Sequence, residues 1–318
     1  DWPEEKCKNE YPDCYEILEK LVKPERLNKP KYVAQAPWWQ FWRITSKLYR
    51  SIENLKKSLV ISEVTKYCTF NYTETNIIYM HTLKVIAIDS NCIQAVLNSS
   101  LHEYWGWKYS STMGGVGLRY TPSSAFETFP FPQGVAPELE EELEKIGDKY
   151  HEFRRLLMLK MKLGLTKTYN QFHNSLLSTI EEEIDEKEVG KKYGKATLIL
   201  FKHLAKTPDT CSFNEAVKDI MELRRLHKQM DEAVLKAYGW QDVDLAHDFY
   251  EVDYLPENDR IRYTISPPAR KEILKRLLEL NHQIHQQEVD AGLVPDKTAK
   301  KKNDPPKKKE NVFAGPLF

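Results

Sequence analysis

No run of apolar residues in the 318-residue chain approaches the roughly 20 needed to span a bilayer. With 41% hydrophobic and 30% charged residues and a mean hydropathy of −0.60, the sequence reads as a soluble globular protein rather than a membrane protein. The five cysteines, Cys7, Cys14, Cys68, Cys92 and Cys211, are odd in number, scattered and never in a C-x2-C pair. That argues against a disulfide framework and a zinc site, and a reducing cytoplasm is the expected compartment. The chain opens Asp1-Trp2-Pro3 with no Met and no basic-then-apolar leader, so it is expected to carry no secretory signal and to be a fragment of something longer. Net charge is also lacking, at 47 basic against 47 acidic residues.

Catalytic motifs are absent too. There is no G-x-G-x-x-G, Walker lysine loop, H-E-x-x-H or G-x-S-x-G. Asn303-Asp304-Pro305-Pro306 is followed by Lys307, where stacking on a flipped base would need an aromatic. His81, His102, His151 and His173 have no Cys or carboxylate at ligand spacing. His227 and His282 lie on or beside helix stripes and are given no role, and the acids of EEEIDE at 181–186 read as a solvated helix face.

What is present is an arrangement of charge. Lys29 to Arg119 holds 11 basic and 5 acidic residues among Trp38, Trp39, Trp42, Trp105 and Trp107, and residues 134–295 hold 24 basic and 30 acidic. A basic, aromatic-laced module is joined to an acidic one, which fits phosphate contacts and equally fits solvated lysines.

The hydrophobic period divides the chain further. Residues 13–22 form a short helix ending near Pro24. From 58 to 97 the β-branched runs SLVISEV, YCTFNY, NIIYM and LKVIAI predict a small sheet, and 91–104 is helical. Residues 105–121 (WGWKYSSTMGGVGLRYT) read as an exposed loop. Leu139, Leu143, Ile146, Tyr150, Phe153 and Leu157 then step by 4 and 3, with acids crowding the first turn and Arg154, Arg155, Lys160 and Lys162 the last. A second long helix opens at a Ser212/Glu215 capping box and carries Ala216, Ile220, Leu223, His227, Met230, Val234 and Ala237 to Gly239. A third opens at Ser266-Pro267-Pro268 and carries Ile273, Leu277, Leu280 and Ile284 to Gly292. Three stripes that need one another imply an antiparallel bundle. The tail KTAKKKNDPPKKKENVF is expected to be disordered.

Within 105–121, Lys108 and Arg119 can donate to base edges or phosphates. Ser110, Ser111 and Thr112 suit backbone contacts, and Gly114, Gly115 and Gly117 let main chain approach a duplex closely. A tight turn whose glycines merely permit positive φ is the alternative.

The strings LRYTPSSAFETFPFP (118–132) and SSLHEYWGWKYSSTM (99–113) resemble the end of the target-recognition domain of type IIG-like adenine DNA methyltransferases from restriction-modification and phage-defence systems. APWWQFWRITSKLYRSI (36–52) and LVISEVTKYCTF (59–70) resemble its start. GLTKTYNQFHN (164–174), ELRRLHKQMDEAVLKAYGW (222–240) and RYTISPPARKEILKRLLELNH (262–282) resemble the helical region that follows it. Residues 175–211 are longer than in compact members, which implies an insertion or extra hairpin. The resemblance implies an α+β chain: a connector helix (1–31), a small mixed β-rich target-recognition domain (32–133), a helical bundle or spacer with long heptad helices (134–292) and a basic tail (293–318).

The function implied is sequence-specific recognition of double-stranded DNA. A preceding methyltransferase domain of the same parent protein would bind S-adenosylmethionine and do the chemistry, and some members add a nuclease. Candidate DNA-binding residues are Lys108 and Arg119 for base edges or phosphates, Ser111 and Thr112 beside them, Tyr109 and Tyr120 positioning the loop, and Lys47, Arg50 and Lys66 on the backbone. No catalytic, metal or cofactor residue is assigned. The competing reading is a helical partner-docking module that binds nucleic acid loosely through its tail.

Overall fold

The computed structural model of the chain describes residues 2–42, 45–114, 117–177 and 186–294, so the acids at 181–185 and the basic tail lie outside the described residues. The architecture is α+β. Its contacts divide the chain into two compact units, Asp1–Leu55 and Lys56–Phe318.

The first unit is helical, with α1 (Glu4–Glu10), α2 (Pro12–Leu27), α3 (Lys31–Ala34) and α4 (Ser46–Ile52). Pro12 sits in the first turn of α2, where its missing N–H costs nothing. The helix passes through Pro24 to Leu27 instead of stopping near it. Buried Tyr15 donates its hydroxyl to Glu4 and packs against Trp38, with ring centroids 5.3 Å apart. Trp39 meets Trp38 edge-on at 5.9 Å. α4 buries Ile52 and leaves Lys47 and Arg50 exposed.

In the second unit the central strand β1 (Lys57–Ser62) pairs antiparallel with β3 (Asn71–Glu74) and β4 (Leu83–Ile86). Its alternate residues Leu59 and Ile61 point into the core. A second sheet sets β6 (Gly117–Arg119) between β2 (Val64–Thr65) and β5 (Ser111–Met113). Between β4 and β5 in sequence run α5 (Asn91–Asn98) and α6 (Ser100–Tyr109), capped by Ser90 and Ser99, whose hydroxyls accept from the backbone N–H of Ile93 and His102.

The long helices α7 (Pro137–Met161) and α11 (Phe213–Ala237) pack against each other. Ion pairs Lys160–Asp219 at 2.7 Å and Lys236–Glu142 at 2.8 Å join opposite ends of the two, so they run antiparallel. The capping box of α11 is present, and every residue of its expected stripe is buried. On α7 the buried face is Leu143, Gly147, Tyr150, Arg154, Leu157 and Met161, partly displaced from the apolar stripe. Gly147 explains part of this: a Cβ there would lie 2.3 Å from the Asn91 carbonyl oxygen, so the side of α7 without a side chain admits α5.

Arg154, grouped in the sequence with the basic last turn, is instead 1% exposed. It donates to Phe70 O (2.8 Å), Asn71 Oδ1 (2.9 Å), Tyr169 OH (3.1 Å) and Asn98 Oδ1 (3.2 Å). It thereby ties β3 and α5 to α8 (Leu165–Phe172).

In the described part of the long 175–211 stretch, helices α9 (Glu186–Lys192) and α10 (Gly194–Lys206) form a packed pair around Leu177, Val189 and Tyr193. The hairpin of β7 (Asp248–Glu251) and β8 (Ile261–Thr264), not anticipated from the sequence, docks on α8 where Tyr263 N–H donates to His173 Nδ1 at 3.1 Å. α12 (Pro267–Asp290) buries Ile273 and Leu277 and packs chiefly on α6. One hydrophobic core runs from Leu59 of β1 through Leu118 of β6 to Leu277 of α12. Sheets and helices are therefore not separate modules. No helix among the described residues is long and apolar enough to cross a membrane.

Candidate nucleic-acid interface

Most of the segment read as an exposed loop is ordered secondary structure. Trp105, Gly106 and Trp107 are buried in α6, and the exposed part is the β5–β6 hairpin. A helix dense in aromatics with one glycine resembles a loop by composition. Gly106 faces Cys68 and Tyr120, and a Cβ there would make ordinary contact with Cys68 Sγ at 3.4 Å.

The hairpin is pinned at its base. Ser110 Oγ accepts from Thr121 N–H at 3.2 Å, and Ser124 Oγ donates to Tyr109 O at 2.6 Å from a π-helical turn at Pro122–Phe126. Below it, Tyr120 is 1% exposed. His102 Nδ1 lies 2.9 Å from Leu97 O, which can only accept, so Nδ1 carries the proton and Nε2 accepts from the Tyr120 hydroxyl at 3.2 Å. Burial pushes the His102 imidazole down to about 3, so this support is neutral.

Above that base the hairpin exposes Ser111, Thr112, Met113 and Arg119. Gly114 holds the turn at φ +62°, a left-handed conformation suited to glycine. Ser111 and Val64 are both register partners of Arg119 and share its face.

Glu63, between β1 and β2, lies beside them. Its Oε1 accepts from Arg119 Nε at 3.2 Å and Nη2 at 3.1 Å, and its Oε2 lies 3.5 Å from Lys84 Nζ. The Arg119 hydrogen bond first, then the Lys84 charge, hold its carboxyl below the usual range. Exposed Lys108 extends from the last turn of α6.

The nine residues singled out from the sequence fall into three groups. Ser111, Thr112, Arg119 and Lys108 are exposed on or beside the hairpin. Lys47 and Arg50 belong to the first unit. Tyr109 packs on Trp105 at 4.2 Å and Tyr120 sits beneath the hairpin, while half-exposed Lys66 pairs its Nζ with Asp259 at 3.0 Å and Asn170 at 3.1 Å. Glu63 and Lys84 were missed because they come together only through strand pairing, although a lone acid in SLVISEV beside a basic stretch was a usable signal.

Among the described residues no constellation for catalysis emerges. Ser100 Oγ, His227 and Asp231 lie together, but His227 offers the same Nε2 to Ser100 (3.1 Å) and to Asp231 (3.5 Å), whereas a proton relay needs opposite ring nitrogens. Ser100 is also 2% exposed. Asp231 instead accepts from Ser100 N–H at 2.8 Å and lies 2.8 Å from His247 Nε2, fixing the start of α6 to α11. A cleft of about 370 Å³ beside Trp240 and Gln283 contains Arg276, whose guanidinium is spent on Asp242 and Glu272. Among the described residues no group of three His, Cys, Asp or Glu could hold a metal ion.

No family model and no curated protein matches the sequence. A solved structure, that of the type IIL restriction-modification enzyme MmeI in complex with DNA, is similar with a TM-score of 0.48 and 14% identity over 84% of this chain. The chain spans 26% of that enzyme's length. A likeness of this size fixes neither family nor function.

Proposed function

We propose that the chain is the sequence-recognition part of an S-adenosylmethionine-dependent adenine DNA methyltransferase of the restriction-modification or phage-defence kind, docking on double-stranded DNA through the β5–β6 hairpin and doing no chemistry itself. The observation that carries this is the pinned hairpin, a rigid base that lifts short hydrogen-bonding side chains and a guanidinium clear of the core, flanked by Lys84 and Lys108. Rigid support with a polar, cationic tip suits reading of a groove. The resemblance of residues 99–132 to a target-recognition domain supports the same assignment. S-adenosylmethionine would belong to the methyltransferase domain of the parent protein, and no residue of this chain is given a part in holding it.

The test is duplex binding by fluorescence anisotropy at two salt concentrations. Affinity should fall steeply with salt, and Lys108→Ala should weaken binding across sequences while lowering the log–log slope by about 1. Binding that ignores Lys108→Ala and Arg119→Ala but disappears when residues 296–318 are deleted would favour the partner-docking reading instead.

A further inference from the structure

We propose that Glu63 is a positioning residue that holds Arg119 as a fixed two-donor reader of guanine in the major groove. This rests on the DNA-recognition reading above. A guanidinium carries five N–H donors in one plane. Arg119 spends its Nε–H and one Nη2–H on a single oxygen, Glu63 Oε1, at 3.2 and 3.1 Å, and among the described residues Nη1 makes no hydrogen bond. The free edge, Nη1 with the remaining Nη2 proton, therefore turns away from the carboxylate. Two parallel donors match guanine O6 and N7, whereas adenine places its own donor where guanine has O6.

Exposure agrees with this orientation. The Glu63 side chain is 23% exposed and that of Arg119 57%, so the acid lies beneath and the guanidinium outermost. Glu63 is itself clamped, its N–H donating to Thr82 O at 2.7 Å and its carbonyl accepting from Tyr120 N–H at 2.9 Å. It has little capacity to read cytosine, because Oε1 is taken by Arg119 and Oε2 faces Lys84. The partners of Arg119 on its face, Ser111 and Val64, are short and leave room for a base edge.

An acid on a DNA-facing surface weakens phosphate attraction. What it gives in return is selectivity: an untethered arginine can swing to the nearest phosphate, while one held by its Nε edge presents its end to the bases.

The experiment is selection from a randomised duplex pool by the 318-residue chain and by Glu63→Ala, Glu63→Gln, Arg119→Ala and Arg119→Lys variants, each checked for an unchanged melting temperature. The wild-type chain should enrich a motif with one position fixed as G. Arg119→Ala should lower that preference roughly 10- to 100-fold. Arg119→Lys keeps the charge but loses the planar fork, and should lose the G preference by a larger factor than it loses affinity for unselected duplex. Glu63→Ala should relax the same position about tenfold while binding unselected duplex at least as tightly, and Glu63→Gln, whose amide oxygen still accepts from Arg119, should restore most of the preference. A Glu63→Ala variant that lowers all affinities equally with the G preference intact would reduce Glu63 to a fold-stabilising role and overturn the proposal. A wild-type motif with no Arg119-dependent G would overturn it while leaving DNA recognition standing. Failure of the wild-type chain to enrich any motif would bring down the recognition reading and this inference together.

Discussion

His102 shows how a single side chain can support a surface it never touches. Its proton is committed to Leu97 and its lone pair to Tyr120, directly below the hairpin, and charging it would force the second contact to reverse. Burial depresses it to about 3 and His151 to about 4, and also lowers His173 and His227. An unfolded histidine takes up its proton near pH 6.5. As pH falls below that value the unfolded chain gains protons that the folded chain refuses, so their contribution to stability is complete above about pH 6.5 and is lost on the way towards 3–4. Melting temperature should therefore fall steadily from pH 6.5 to pH 4.5, and His102→Gln, which cannot titrate, should fall less steeply; equal slopes would contradict the assignment. At this scale the sequence was a poor guide. It offered Lys66 as a phosphate contact and grouped Arg154 with a basic helix end, yet both found partners at least 15 residues away along the chain. Identity does not encode such distant pairings.

The helices were far more legible, because periodicity and caps are local. The α11 stripe from Ala216 to Ala237 and the Ser212/Glu215 box both stand where the spacing placed them. Removing the cap, Ser212→Ala, should cost about 1 kcal/mol in urea unfolding. Gly147→Ala should cost more despite a helix-propensity gain of about 1 kcal/mol. The new Cβ would sit 2.3 Å from a main-chain oxygen of α5, which cannot rotate aside, and overpacking of that kind costs about 1–3 kcal/mol. A stabilised Gly147→Ala variant would show that α5 and α7 are not in close contact there. Period alone failed where a helix is buried on several sides: α6 carries Trp105, Gly106 and Trp107 inward in succession, a pattern that reads as a loop because no polar face interrupts it. The β7–β8 hairpin was hidden for a related reason, since four-residue strands hold too few alternations to register.

For the second unit as a whole, the governing fact is its single core. Because Leu59, Leu118, Leu143, Ile220 and Leu277 belong to one cluster, the hairpin is backed by the sheets and long helices together and does not hang from a separate small domain. The balanced total charge conceals this surface, where Lys84 and Arg119 flank one acid, Glu63. Arg119 stands at the centre of the account, and the most direct test is enrichment of a randomised duplex pool by the wild-type chain beside Arg119→Ala at matched salt. The account predicts one short motif for the wild-type chain, with preference at one position collapsing in the variant by a larger factor than its affinity for unselected duplex falls. Equal binding to all sequences, the same in both proteins, would contradict a sequence-reading role for the hairpin.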